Sequence, residues 1–214
     1  MILLVCVLGL SCAGLNTANS AQYEFNKGLG YFNNGNYQQA VTHFSRATLI
    51  DPEYAQAYLY LGRSYINMYE WMDALNPIRT AYRISPDDTK SEISEILLDV
   101  LYRITIIEIQ KGNFDKSNEF LSDYLQLNSE LKYSDNLIVS YLIIYSADQL
   151  KMGNLTNSIR ALKLALKIDP DNSDAYFGLA KAYFKDGKNF QAFDNLRKAL
   201  LLDPYNQEIR ELYR

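Results

Sequence analysis

The chain has 214 residues, of which 48% are hydrophobic and 21% charged, so it is long enough for one or two domains or a short repeat array with a substantial core. This composition excludes disorder as the main state, and the net charge of -4 argues against nucleic acid as a partner, because no general basic field exists. The 18 Tyr, beside 10 Gly and 5 Pro, favour helices that pack through aromatic side chains over a turn-rich β fold.

An apolar run over residues 1–10 comes first in the chain, and small residues follow it at positions 11–14. The run is about half as long as the roughly 20 residues that a membrane-spanning helix needs, so it predicts a signal peptide or lipoprotein leader over residues 1–20 and export of the chain. The basic segment that usually precedes such a run is missing, because no Lys or Arg stands before Lys27. A buried helix of a cytosolic protein is the competing interpretation.

Two routes of leader removal are open. Cys12 follows Gly9-Leu10-Ser11 and resembles the cysteine of a bacterial lipobox, which becomes the lipid-bearing first residue of the mature chain, although Gly9 and Leu10 depart from that pattern. This route predicts lipid attachment at Cys12 and membrane association through the anchor. The alternative is cleavage after Ala13 or near residues 18–21, which would release a soluble secreted protein.

After the leader, small and aromatic residues recur at an interval of 34. The interval joins Gly28 with Gly62, Tyr31 with Tyr65, Ala40 with Ala74, Ala47 with Ala81, Pro52 with Pro86, Gly153 with Gly187, Leu162 with Leu196, Ala165 with Ala199 and Pro170 with Pro204. A poorer copy is anchored on Gly112-Asn113-Phe114. We therefore predict five repeats, at 21–54, 55–88, 98–131, 139–172 and 173–206, with extra residues at 89–97 and 132–138, and with 207–214 as a capping helix or the start of a further repeat.

The second repeat has the fullest set of recurring residues, namely Tyr58, Leu61, Gly62, Tyr65, Ala74, Ile78, Ala81 and Pro86. This pattern resembles the tetratricopeptide repeat (TPR), a helix-turn-helix unit of 34 residues. The resemblance implies an all-α solenoid of about five hairpins, wound as a right-handed superhelix with a concave and a convex side. The first repeat departs from the pattern with Glu24 and Lys27 at apolar places, and the third departs most, at Thr105, Glu108, Ser117, Tyr124 and Ser129.

Helical spacing supports the same architecture without the family. A small residue at positions 28, 62, 146 and 180 lets the second helix of each hairpin approach the first closely, and proline after 50–51 and 168–169 ends the helices. An apolar stripe through Ile93, Val100 and Ile107 predicts a long first helix in the third repeat, from about Thr89 to Lys111.

The sequence contains few residues that could catalyse a reaction or bind a metal. Both cysteines, Cys6 and Cys12, lie in the first twelve residues, so the rest of the chain forms neither a disulfide nor a thiolate metal site. Motifs for phosphate binding, a nucleophile elbow or a zinc protease are missing from the sequence. We expect His43 at an exposed or edge position and Trp71 in a packing role. The sequence therefore predicts no catalytic residues, no cofactor and no metal.

The sequence also predicts a surface that binds another protein. In the tetratricopeptide family the first helix of each hairpin lines the concave side, and this resemblance implies an apolar, aromatic groove that binds a protein or peptide. Phe25 and Leu29 stand where a basic carboxylate clamp would need Lys and Asn, so that assignment is rejected. An alternative is that these side chains simply pack between hairpins. The predicted binding residues are Phe25, Leu29, Phe32, Leu59, Arg63, Ile66, Tyr102, Ile106, Ile109, Phe177, Lys181 and Phe184, with Ile143 and Leu150 on the same face.

Together these features predict a non-catalytic scaffold or adaptor in the bacterial cell envelope, exported and anchored through Cys12 or else secreted. An accessory subunit or module of an envelope enzyme, secretion or transport system is the alternative, with the chemistry on another chain.

Overall fold

The computed structural model describes residues 20–131 and 137–213, which are helical apart from short turns. The predicted all-α class is confirmed. Within these residues no helix is long and apolar enough to cross a membrane. The helices are α1, whose described part spans 20–33, α2 (Tyr37–Ile50), α3 (Ala55–Asn67), α4 (Trp71–Ile84), α5 (Asp87–Gln110), α6 (Phe114–Leu131), α7 (Leu137–Lys151), α8 (Leu155–Ile168), α9 (Ser173–Lys185), α10 (Asn189–Leu202) and α11 (Gln207–Tyr213).

Consecutive helices pair as hairpins, with α3 packed on α4, α7 on α8 and α9 on α10. The long first helix predicted for the third repeat is confirmed, since α5 spans Asp87–Gln110 and includes the extra residues at 89–97. The chain forms two compact units. The N-terminal unit comprises Met1–Ile104 and Phe120–Glu130, and the C-terminal unit comprises Thr105–Glu119 and Leu131–Arg214.

Residues with a left-handed backbone conformation form the turns within the hairpins. Gly35, Gly112, Gly153 and Gly187 have φ between 72° and 83°, a conformation that costs glycine nothing because it lacks a Cβ atom. In the α3–α4 turn the same conformation falls on Tyr69, at φ 62°, where a side chain makes it unfavourable. The 34-residue spacing of Gly153 and Gly187 therefore has a backbone cause, and at the same place of the turn the second repeat has Tyr69.

Aromatic side chains form the core of the N-terminal unit. Phe25 lies 5.6 Å from Phe44 and 5.0 Å from Tyr54, measured between ring centroids, and Tyr60 packs edge-on against Phe25 at 5.6 Å. At Gly28 an added Cβ atom would lie only 2.6 Å from the ring of Phe44. The small residue predicted at position 28 is therefore needed for close helix packing.

Glu24, which stands at an apolar place of the repeat, forms a polar contact with the second helix of its hairpin. Its carboxylate lies 2.7 Å from Nδ1 of His43, and Arg46 lies 3.9 Å from the same oxygen. The His43 ring also stacks on Tyr31 at 5.2 Å. The expected exposed position of His43 is therefore corrected: only 13% of its side chain is exposed, because Glu24 and Tyr31 cover it.

The C-terminal unit has an apolar core that α9, α10 and α11 share. Phe177 and Ala180 of α9 pack against Leu196 and Ala199 of α10. Ile209 of α11 is completely buried in the same cluster. The short last helix is therefore packed onto the hairpin before it.

Glu108, the acidic residue at an aromatic place of the third repeat, ties the α5–α6 turn together. Its buried carboxylate accepts a hydrogen bond from Asn113 Nδ2 at 3.0 Å and another from Lys111 Nζ at 3.0 Å, and Lys116 Nζ lies 3.8 Å away. The hydrogen bond from Asn113 contributes most to lowering the pKa of Glu108; burial opposes it, and the two lysines add to it. The charge of Glu108 at this aromatic place of the repeat is therefore stabilised by hydrogen bonds from residues of the α5–α6 turn.

Candidate binding grooves

A wide groove runs along the first helices of the C-terminal unit. Its cavity volume is about 1080 Å³, and we call it the C-terminal groove. Helices α7 and α9 form its walls, α8 its floor, and the start of α11 its third side. The residues that line it are Ile143, Ser146, Ala147, Leu150, Lys151, Ser158, Asp174, Phe177, Gly178, Lys181, Lys185, Asn206, Gln207, Glu208 and Glu211.

Small side chains make room for this groove. Ser146 and Ala147 on α7 and Gly178 on α9 present little volume to the cavity. Gly178 also lets α9 approach α8, since a Cβ atom there would lie 2.8 Å from Leu162. Ile143 and Leu150 of α7 add aliphatic surface, so the middle of the groove offers apolar area between small residues. Phe177 contributes only an edge of its ring, because its side chain is 7% exposed and packs in the core.

Charged side chains surround that apolar middle. The Lys181 ammonium lies 3.9 Å from the centroid of the Phe177 ring and 3.8 Å from Oε2 of Glu208. Lys185 donates a hydrogen bond from Nζ to the carbonyl of Leu150 at 2.8 Å. Both lysines are therefore held at the groove by contacts within the C-terminal unit.

Ser158 is a polar group on the groove floor. It is fully buried, and its Oγ has no hydrogen-bond partner within the described residues. Repeats 1, 2 and 5 have Ala40, Ala74 and Ala192 at the corresponding place. The hydroxyl therefore adds an unused donor and acceptor beneath the apolar middle of the groove.

A smaller cleft of about 380 Å³ lies between α3 and α5 in the N-terminal unit. Leu59, Tyr60 and Arg63 line it from α3, and Glu92 and Ile93 from α5. Arg63 forms an ion pair with Glu92, and its guanidinium lies 5.5 Å from the centroid of the Tyr60 ring. Because its cation is already engaged, this cleft offers less to a charged ligand than the C-terminal groove does.

Only some of the predicted binding residues line a groove. Phe177 and Lys181 line the C-terminal groove, together with Ile143 and Leu150, and Leu59 and Arg63 line the N-terminal cleft. The structure brings these residues together within each unit.

Phe25 and Ile109 must be corrected as binding residues. Phe25 is 4% exposed and Ile109 is 0% exposed, because both side chains belong to the packed interior. Phe177 at 7% and Leu59 at 9% are buried as well, and each presents only an edge to the cavity that it lines. The other predicted residues are partly buried, and several of them pack against neighbouring aromatic side chains. These residues are Leu29, Phe32, Ile66, Tyr102, Ile106 and Phe184.

Sequence reasoning missed the acidic side of the C-terminal groove. Asp174 lies in the first turn of α9, and Glu208 and Glu211 come from α11. One available signal was the 34-residue interval, which relates Asp174 to Glu208. Lys185 and Lys151 were also missed, although each lies in the last turn of its helix and lines the groove.

Comparisons with protein families find repeats in both halves of the chain. A model described as a TPR repeat matches residues 28–68 and 150–187, and a model described as a tetratricopeptide repeat matches residues 173–206. These segments include α9, which lines the C-terminal groove, and α3, which lines the N-terminal cleft.

Among curated proteins, the chain is similar to response regulator aspartate phosphatase E of Bacillus subtilis (strain 168), with 29% identity over 204 residues that cover 87% of this chain and 52% of the relative. It is 25% identical over 178 residues to anaphase-promoting complex subunit CDC16 of Saccharomyces cerevisiae, covering 83% of this chain and 20% of the relative. The chain thus spans about half the length of the first relative and a fifth of the second. A solved thermophilic TPR protein of Thermus thermophilus is 20% identical, with a TM-score of 0.41 over 90% of this chain and 96% of that one.

Proposed function

We propose that this chain, which is a tetratricopeptide repeat protein, acts as a non-catalytic scaffold and holds a segment of another protein in its C-terminal groove. One observation carries the proposal: a groove of about 1080 Å³ in which apolar surface from Ile143 and Leu150 is bordered by charges of both signs. Protein-binding surfaces commonly combine an apolar centre with a polar rim. The groove has that arrangement.

The one histidine of the sequence supports the non-catalytic part of this proposal. A general base must be within hydrogen-bond reach of a substrate in a cavity. His43 is instead bound to Glu24, stacked on Tyr31, and lines neither the C-terminal groove nor the N-terminal cleft. Its contacts assign it to the packing of the first hairpin.

We further propose that the scaffold is exported to the bacterial cell envelope and anchored through a lipid on Cys12, a residue that lies outside the described part of the chain. The start of α1 supports cleavage well before Gln22. Ala21 is 1% exposed, and the Gln22 side chain accepts a hydrogen bond from the Tyr54 hydroxyl at 2.8 Å. Cleavage at either residue would remove or expose packed parts of the helix, whereas cleavage before Cys12 or after Ala13 leaves them intact.

The groove proposal is tested by filling the groove with a side chain. Ala147 is exposed on α7 and lines the groove, so Ala147→Trp should occupy it without disturbing the core. Thr156→Trp, at an exposed position of α8 that does not line the groove, is the matched control. Tagged full-length chains are used to recover partners from an envelope extract, and circular dichroism checks that both variants fold.

The proposal predicts that Ala147→Trp loses the partners that the unaltered chain retains and that Thr156→Trp keeps them. If Ala147→Trp recovers the same partners in the same amounts, the C-terminal groove is not where the protein binds.

A further inference from the structure

We infer that the C-terminal groove selects a segment with a basic residue at one end, an acidic residue at the other and an apolar centre. This inference rests on the proposed function, because it specifies the chemistry of the segment that the groove holds. It follows from how the charges of the groove are arranged along α9.

One end of the groove is acidic. Asp174 lies in the first turn of α9 and Glu208 in the first turn of α11. The two residues are 34 apart, so they occupy the same level of successive repeats. Glu211, one turn further along α11, faces the groove as well. Three carboxylates therefore border the end at which α9 and α11 begin. Glu208 shares its charge with Lys181, which leaves Asp174 and Glu211 to face a basic group.

The other end is basic. Lys185 lies in the last turn of α9 and Lys151 in the last turn of α7. Lys151 Nζ lies 3.5 Å from Asp148 Oδ1, so Lys185 carries the charge that a ligand can use. The Lys185 ammonium binds the Leu150 carbonyl at 2.8 Å, and within the described residues it forms no ion pair with a carboxylate. Its positive charge is therefore available to an anionic group, as a hydrogen bond to a neutral carbonyl does not cancel it.

Between the two ends, Lys181 adds little net charge. Its ammonium lies over the Phe177 ring and is 3.8 Å from the Glu208 carboxylate, so its charge is shared within the groove. Ile143 and Leu150 provide aliphatic surface at this level from α7. The centre therefore suits an apolar side chain better than a charged one.

The length of the groove limits the segment that fits. Asp174 and Lys185 are eleven residues apart on one helix, and a rise of about 1.5 Å per residue separates them by about 16 Å along its axis. An extended chain covers that distance in about five residues, at roughly 3.3 Å per residue. A segment with opposite charges at its ends can place its basic end at the acidic end of the groove and its acidic end at the basic end. A segment with like charges must place one end beside groove residues of the same charge.

Four capped, dye-labelled hexapeptides, whose end residues are five steps apart, test the inference with the full chain. They share one apolar centre and differ only in their end residues, which are Lys and Glu, Lys and Lys, Glu and Glu, or Gln and Gln. Fluorescence anisotropy at low salt should give the Lys and Glu peptide about tenfold higher affinity than either like-charged peptide, and salt should reduce that preference. Ala147→Trp should abolish binding of the preferred peptide.

A charge reversal makes the test specific. Because the charge of Lys151 is already paired with Asp148, Lys185→Glu makes the basic end acidic as well, and the preference should move to the peptide with Lys at both ends. Lys163→Glu makes the same change on exposed α8 outside the groove and should leave the preference unaltered.

Equal affinities for all four peptides, each lost in Ala147→Trp, would overturn the charge selection and leave the proposed groove binding intact. Failure of all four peptides to bind the unaltered chain would also overturn the inference, while loss of natural partners in Ala147→Trp would still support the proposed function. Self-association that the peptides reverse, seen by light scattering, would make a second copy of the chain the occupant and overturn the inference too.

Discussion

Replacing Gly62 with Ala should destabilise the N-terminal unit, even though alanine is the better helix former. Gly62 lies inside α3, where alanine is favoured over glycine by about 1 kcal/mol. A Cβ atom at this position, however, would lie 2.3 Å from Cδ1 and 2.5 Å from Cγ1 of Ile78. Ile78 is completely buried on α4, so its side chain has little freedom to move away.

The size of the effect follows from two opposing contributions. Overpacking a filled core costs about 1 to 3 kcal/mol, which exceeds the gain in helix propensity and leaves a net loss of about 1 kcal/mol. Gly30 is the matched control, because it lies in α1 and a Cβ atom there would meet nothing within 4 Å. Gly30→Ala should therefore stabilise the protein by about 0.5 to 1 kcal/mol.

Chemical denaturation followed by far-UV circular dichroism measures both variants. The two substitutions are chemically identical, so opposite shifts of the unfolding midpoint isolate the contact between Gly62 and Ile78. If Gly62→Ala stabilised the protein as much as Gly30→Ala does, α3 and α4 would not pack as closely as the structure shows, and the assignment of small residues to hairpin contacts would be wrong.

Three further predictions concern the turns and the leader. Tyr69→Gly should be more stable than Tyr69→Ala by about 1 kcal/mol, because both variants lose the ring and only glycine tolerates φ 62° without strain; equal thermal midpoints would refute this. Asn113→Ala should raise the pKa of Glu108, because it removes the hydrogen bond that contributes most to lowering it, and a titration of the Glu108 carboxyl by nuclear magnetic resonance measures the change. Since the folded-state pKa lies below the unfolded one, Glu108 stabilises the fold above the ordinary glutamate pKa and loses this contribution as pH falls through the folded pKa. The unfolding free energy of Glu108→Gln should accordingly depend less on pH in that range, and an unchanged dependence would contradict the assignment. Mass spectrometry of the mature chain should find a lipid-modified Cys12 as the first residue, whereas an unmodified chain beginning at Gly14, Ala21 or Gln22 would exclude the anchor.

The repeat architecture could be predicted because its causes are local in sequence. Gly28 and Gly62 recur at 34 residues since a second helix packs directly against each of them. Gly153 and Gly187 recur since each makes a turn with positive φ. Such positions tolerate few other residues, so they leave a pattern that a single sequence displays.

The binding face was harder to predict, because a helix in a stacked array has apolar residues on more than one side. Phe25 and Leu150 both follow helical spacing on first helices, yet Phe25 is enclosed by Tyr54 and Tyr60 while Leu150 is partly exposed and lines the C-terminal groove. Periodicity gives the direction of a side chain from its own helix and does not say which neighbours cover it. Tyr54 before α3 and Tyr60 within it are the neighbours that bury Phe25.

The acidic end of the groove depended on α11, which is too short to show a helical period. Glu208 is exposed and Ile209 is buried, and only the packing of Ile209 against Leu196 and Ala199 fixes the direction of the helix. Glu108 was recognisable as a departure from the repeat, but its compensation by Asn113 required the geometry of the turn.

Site-specific photo-crosslinking tests the central claim most directly, namely that the C-terminal groove holds a segment of a partner protein. A photoreactive amino acid replaces Gln207, which is exposed and lines the groove, or Gln191, which is exposed on α10 and does not line it. After illumination in an envelope extract, we expect a partner crosslinked from position 207, with the attachment mapped to one short segment, and none from position 191. Crosslinks from position 191 but not from position 207 would contradict it.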